Sequence, residues 1–325
     1  MSNNTRQYAI GVDIGGTNTK YGIVNHRGDI SYSGRLSTSA YATAEAFIDA
    51  LYAVLEPVMN QVGKENIKGI GVGAPNANYF TGSIEYAPNL NWKGIVPFAS
   101  LIGTKFNLPC SITNDANAAA VGEMMYGAAK GMKDFIVITL GTGVGSGIVT
   151  GGELIYGHDG FAGELGHTII RYGGREHWST GLKGSLEAYA SATGIVLTAK
   201  EMLAATDQSS TLRDYAPEDI DSKAVYECAM KGDKVAQEVY RFTGQVLGEA
   251  LANFVMFSSP EAVILFGGVT KAGSLLMDPV REHMEKNLLH VFKNKVSLNF
   301  SELKEADAAI LGASALVWAM KRPIL

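Results

Sequence analysis

Cysteine is scarce: the 325 residues hold two, Cys110 and Cys228. Two thiols cannot build a disulfide framework, which excludes the small stapled domains and fits a reducing compartment. Both are expected to be buried as small hydrophobes. No long apolar run exists either. The strongest, over 250–266, is broken by Ser258, Ser259, Pro260 and Glu261, so it cannot span a membrane. The opening residues Met1 to Gln7 lack the apolar core of a signal peptide. A cytoplasmic protein with no membrane partner is expected. Blocks of Lys or Arg are missing too, and the net charge is −5, so no nucleic-acid partner is expected. The common single-loop nucleotide motifs, G-x-x-x-x-G-K-[ST] and G-x-G-x-x-G, occur nowhere in the chain.

What the chain does contain suits a soluble globular protein of about two domains: 46% apolar and 18% charged residues. The stretch Gly11 to Lys20 carries Asp13 at the end of an apolar strand over 8–14, then breaks at Gly15-Gly16-Thr17. Shifting the chain by 125 residues lays Gly16, Thr17, Gly22, Ile23 and Val24 on Gly141, Thr142, Gly147, Ile148 and Val149. Strand, Gly-Thr turn and strand are thus written twice, which predicts two related α/β units. Other strands are expected at 67–72, 110–113, 135–140 and 262–266. Helices are expected at 43–62, 101–106, 116–126, 193–205, 222–231, 235–257 and 307–320. Pro57 should kink or split the first of these. The stretch 151–184, rich in Gly, His and charge, reads as loop.

Phosphate recognition needs inward-pointing backbone N–H groups, which glycine turns supply. Two such turns facing each other across a cleft suit the ends of a triphosphate, with Asp13 toward the accompanying metal. Asp115 follows a strand end and opens a helix. It reads either as an N-cap or, because strand ends gather at the ligand crevice, as a general base. Glu164 and His167, with Glu187 and Asn89, are polar groups on loops suited to sugar hydroxyls. Trp92 is expected to pack rather than to stack on a ligand.

Six segments together resemble the ROK family of repressors, open reading frames and sugar kinases: Asp13 to Thr17, Gly71 to Pro75, Asn114 to Asn117, Leu140 to Gly143, Gly163 to His167 and Phe266 to Gly268. The resemblance spans nearly the whole chain. It implies the actin-like, ribonuclease H-like α/β fold, two domains around a cleft. The first would comprise 1–116 plus 307–325, the second 117–306. It further implies ATP phosphates on Gly15, Gly16, Thr17, Lys20, Gly141, Thr142 and Gly143, and adenosine by Gly267 and Gly268. Mg²⁺ would be held through water by Asp13. The sugar would lie on Asn89, Asn114, Glu164, His167 and Glu187, with Asp115 taking the proton of its 6-hydroxyl. The activity implied is an ATP-dependent hexose kinase, glucose first, with N-acetylhexosamines or fructose as alternatives, in a homodimer. A sugar-sensing repressor is disfavoured by the short polar stretch ahead of the first strand, and a non-catalytic regulator by the presence of both Asp13 and Asp115. One departure stands out. The family's C-x-C-G-x-x-G-C-x-E zinc motif reads here as Trp178 to Glu187, with Trp178, Thr180 and Ser185 at the cysteine positions. No structural zinc is expected, and Trp178 packing with hydroxyl hydrogen bonds from Thr180 and Ser185 is expected to order the loop.

Overall fold

The computed structural model describes residues 7–319. Met1 to Arg6 and Met320 to Leu325 lie outside them, and with them the last residue of the helix expected over 307–320. In chain order the elements are β1 (Tyr8–Ile14), β2 (Asn18–Asn25), β3 (Ile30–Ser37), α1 (Ala44–Val62), β4 (Ile67–Gly73), β5 (Ile84–Glu85), β6 (Ile95–Val96), α2 (Phe98–Phe106), β7 (Cys110–Thr113) and α3 (Asp115–Tyr126). There follow β8 (Phe135–Leu140), β9 (Val144–Thr150), β10 (Glu153–Leu154), α4 (Glu187–Ala190), α5 (Ala192–Ala205), α6 (Ser222–Met230), α7 (Lys234–Ser258), β11 (Ala262–Phe266), α8 (Ser274–Asn287), β12 (Ser297–Phe300) and α9 (Glu305–Ala319).

The repeat read in the sequence is a repeat in space. One five-stranded sheet runs β3-β2-β1-β4-β7 and the other β10-β9-β8-β11-β12. In each, an antiparallel hairpin (β1 with β2, β8 with β9) leads into parallel strands. Parallel strands buried on both faces read as continuous apolar runs, which is why β8 and β11 were legible. The first core gathers Phe47, Leu51 and Leu55 of α1 with Phe98 and Ile102 of α2 under the first sheet. Trp92 belongs to it, 5.1 Å from Phe47 and stacked on Phe98, and donates its indole N–H to Tyr41 O at 3.3 Å. The second core is built on α7, with Val239, Val246, Leu247 and Leu251. Cys110 and Cys228 are both buried and free.

Helix α9 crosses back to the first sheet and lies on β1 and β4, while also packing along α3. Its seat is made by missing side chains. A Cβ on Gly71 of β4 would run into the carbonyl oxygen of Ala313, and one on Gly11 into that of Ile310. Backbone therefore touches backbone, as only glycine permits.

Pro57 does not split α1, which continues unbroken from Ala44 to Val62. Pro57 and Ala53 both face solvent, on the side of the helix where a carbonyl that loses its helical donor is least costly. Helix α8 and strand β12 were not expected, nor were the short β5, β6 and α4. Among the described residues, no helix is long and apolar enough to cross a membrane.

Candidate active site

Register sets the first half of the site. Asp13 on β1 lies beside Gly73 on β4, and Gly73 beside Thr113 on β7. The three parallel strands thus end level, and Asn114 and Asp115 step off the same edge that carries Asp13. In the second sheet Thr139 lies beside Phe266, so Gly141 and Gly267 leave the sheet together. A cleft of about 560 Å³ lies at these edges, a size suited to small ligands. It is lined by Asp13, Asn89, Asn114, Asp115, Gly141, Thr142, Gly143, Glu164, His167, Glu187 and Gly267.

Of the residues picked from the sequence, Gly15, Gly16, Thr17, Lys20 and Gly268 do not line this cavity. Gly16 rests against the backbone of Asn89. Lys20 sits opposite Asp13 across the hairpin and opens onto a neighbouring hollow with Arg35 and Asp307. Gly268 begins a short 3₁₀ turn, Gly268–Ala272.

The N-cap of α3 is Asn114, not Asp115: Asn114 Oδ1 accepts from Asn117 N–H at 2.7 Å. An N-cap must sit in extended backbone ahead of the first helical residue, and Asn114 does so at ψ 161°. Asp115 is that first residue. Its Oδ1 takes Ala116 N–H at 2.8 Å, and its side chain is left facing the cleft.

The second turn is shaped by α5. Gly141 O accepts from Ala192 N–H at 2.8 Å, and Thr142 O from the Thr193 hydroxyl at 3.1 Å. Because the peptide is planar and trans, drawing those carbonyls toward α5 turns the N–H groups of Thr142 and Gly143 the opposite way. The segment is thereby set up as an anion cradle.

Charge is crowded at the strand ends. Burial pushes the Asp13 carboxyl up to about 7, the charge of Asp115 adds to this, and Lys20 opposes it. Asp115 is open to water in the cleft, yet the protein gathered around it desolvates its carboxyl. That desolvation raises its carboxyl, against the pull of its backbone hydrogen bonds. Glu164 is raised as well, by burial first, with Asp115 and Glu187 adding and His167 opposing. Two repelling carboxylates in a cleft with the Gly141–Gly143 turn form a hard-oxygen donor pair whose strain a divalent cation would relieve, so this site fits Mg²⁺.

A pH dependence follows. The native state holds the Asp13 proton where the unfolded chain, at 3.8, has released it. This group's contribution to the stability of the unliganded protein is intact below about pH 4 and lost as the pH rises through about 7. Asp13→Asn is expected to raise the melting temperature more at about pH 8 than at about pH 5. An equal gain at both would contradict the shifted carboxyl.

The loop after His167 departs from expectation. Ser185 Oγ is buried with no partner, and Thr180 Oγ1 only accepts from Leu182 N–H at 3.3 Å. The hydroxyls do not order this loop, because a short turn bond and an orphaned hydroxyl cross-link nothing. The residue at its centre is His177, the neighbour of Trp178 in sequence. It is 3% exposed, under a stacked Trp178 at 4.1 Å, and bonded to Glu187. Sequence reasoning also missed a bridge across the two halves. Tyr79 stacks on Tyr156 at 4.2 Å, and Asn78 donates to Asp159 O at 2.7 Å. No group of three or more His, Cys, Asp or Glu able to hold a metal occurs among the described residues.

Two related sheets with a cleft at their strand ends define the actin-like class of two-lobed α/β proteins. Within that class the chain belongs to the ROK family, which it matches over residues 9–320. It is 34% identical to a glucokinase of Halalkalibacterium halodurans over 316 residues, 96% of this chain and 95% of that one. It is 35% identical to a glucokinase of Streptomyces coelicolor, over 94% of each chain. Among solved structures it resembles a ROK family glucokinase from Streptomyces griseus in complex with glucose and AMPPNP. The TM-score is 0.78 at 32% identity, covering 96% of this chain and 100% of that one.

Proposed function

We propose that this chain is an ATP-dependent hexose kinase that moves the γ-phosphoryl group of ATP to the 6-hydroxyl of a hexose, glucose first. The observation that carries the reading is the position of Asp115: a carboxylate pushed up by its surroundings, in a cleft with a phosphate-type turn on one side and Asn, Glu and His side chains on the other. Relatives bearing the name glucokinase along nearly the full length support it.

In this reading Thr142 and Gly143 direct their N–H groups at phosphate oxygens, and Gly267 flanks the nucleoside end. Asn89, Asn114, Glu164, His167 and Glu187 hold the sugar hydroxyls. Asp115 accepts the proton of the attacking hydroxyl, and its raised pKa makes it a better base near neutral pH. Mg²⁺, when bound, neutralises and orients the phosphates, and Asp13 is the residue to hold it, through water. Closure of the two halves keeps water from the γ-phosphoryl group. We place the domains at 1–116 with 307–325 and at 117–306, in a cytoplasmic homodimer. Contacts of α9 with β1 and β4 support its assignment to the first domain.

The test is ADP release with glucose, mannose, fructose, N-acetylglucosamine and N-acetylmannosamine as acceptors. Glucose is expected to give the highest kcat/KM. Turnover of none of them would overturn the reading.

A further inference from the structure

Glu187 is the first residue of α4, and both of its carboxylate oxygens are engaged. Oε2 accepts from Val144 N–H at 2.6 Å, and Oε1 meets His177 Nε2 at 2.5 Å. Val144 directly follows the second turn. Gly143 is what lets the carboxylate come so near, since a Cβ there would strike Glu187 Oε2. One side chain thus joins the turn to the His177 loop.

The hydrogen bonds around His177 assign its proton. Nδ1 receives Thr180 N–H at 3.2 Å and Ser179 N–H at 3.3 Å, with the Ser179 hydroxyl also at 3.3 Å. A nitrogen that accepts from backbone donors carries its lone pair, so the proton resides on Nε2 and is given to Glu187. The histidine backbone is pinned as well: His177 N–H donates to Leu182 O at 2.8 Å, and Gly181 N–H donates to His177 O at 3.0 Å. Trp178 closes the outer face of the ring. The 177–182 turn, which contains no thiol, is folded around one imidazole.

We infer that His177 is a positioning residue for hexose binding. It holds Glu187 in the cleft at a fixed angle and ties it to the Gly141–Val144 turn. A carboxylate has about four acceptor positions, and two are used here, so Glu187 retains capacity for sugar hydroxyls. Losing the buried histidine frees the carboxylate to rotate about its side-chain bonds and costs orientation rather than charge. The inference rests on the hexose site proposed above.

The test compares His177→Ala with His177→Gln, whose amide nitrogen reaches the place of Nε2. His177→Ala is expected to raise the KM for hexose about tenfold or more, the worth of a hydrogen bond to a charged group, and to change the KM for ATP by less than about twofold. His177→Gln is expected to recover most of the loss. An unchanged hexose KM in the alanine variant overturns the inference, and so does a fall in kcat alone that glutamine does not rescue. Nitrogen-15 spectra of the imidazole in the unliganded wild type supply a readout independent of turnover. A proton on Nε2 is expected, and one on Nδ1 overturns the assignment. Should the wild type phosphorylate no hexose, the kinase reading falls. The ring spectrum, with calorimetric hexose binding by both variants, still decides the role of His177.

Discussion

Asp115→Asn is expected to leave hexose binding within a few-fold of wild type and to lower kcat by about 10²–10⁴, the usual contribution of a positioned base. The amide is isosteric, and its oxygen can still accept Ala116 N–H as Asp115 Oδ1 does. The head of α3 is kept in any case by the Asn114 cap, which belongs to a different side chain. What the amide cannot do is take a proton from an attacking hydroxyl. The substitution also removes a charge that raises Asp13, so Asp13 should titrate lower in the variant. A pre-steady-state burst assay locates the loss in the chemical step. Wild-type turnover in this variant would remove Asp115 from the mechanism, and a lost hexose affinity would make it a binding group.

Gly71→Ala is the substitution expected to cost most stability. The added methyl has no flexible neighbour to displace: it meets the Ala313 carbonyl oxygen, with the carbonyl carbon at 2.8 Å and Leu316 Cβ at 3.3 Å. Either α9 lifts off β4 or β4 bends. Overpacking of this kind costs about 3 kcal/mol or more when backbone must move. The effect should also reach the site, because Ala308 and Ala309 at the start of α9 line the cleft. A lower melting temperature together with weaker nucleotide binding is the expected pair, read by calorimetry with and without an ATP analogue. A melting temperature unchanged within about a degree would mean that α9 does not sit on Gly71.

The features legible in the sequence were those written locally. β1, β8 and β11 are short apolar runs ending in glycine turns, and the Gly-Thr repeat could be found by sliding the chain on itself. Asp13, Asn114, Asp115, Glu164 and His167 were legible mainly through six short segments in family order, whereas Asn89 and Glu187 lie outside those segments and carry no periodic signal. Helix α8 escaped because Pro279 interrupts an otherwise readable stripe of Leu276, Met277, Val280 and Met284. Strand β12 has only four residues, too few to show alternation. The cap at Asn114 was misplaced by one residue because Asn and Asp are equally good caps and only backbone angles separate them. The glycines at 11 and 71 could not be understood as a helix seat, because the helix they receive is distant in sequence. His177 escaped for the same reason on a smaller scale. Its donors and acceptors are loop backbone groups and a carboxylate ten positions on, and spacing within a loop does not encode where the loop folds.

The return of α9 to the first sheet has a consequence for how the protein is made. Strands β1, β4 and β7 leave the ribosome early, but the apolar face that α9 covers stays bare until the entire second half has been synthesised. Domains usually fold as they emerge, first half first. Here the order of completion is expected to reverse: α7 and its partners can close their core on a nascent chain, while the first sheet waits for its lid. Chains stalled before residue 305 should therefore show a protease-resistant second half and a cleavable first half. Protection of both halves at that stage would show that the first sheet needs no late helix to hold together.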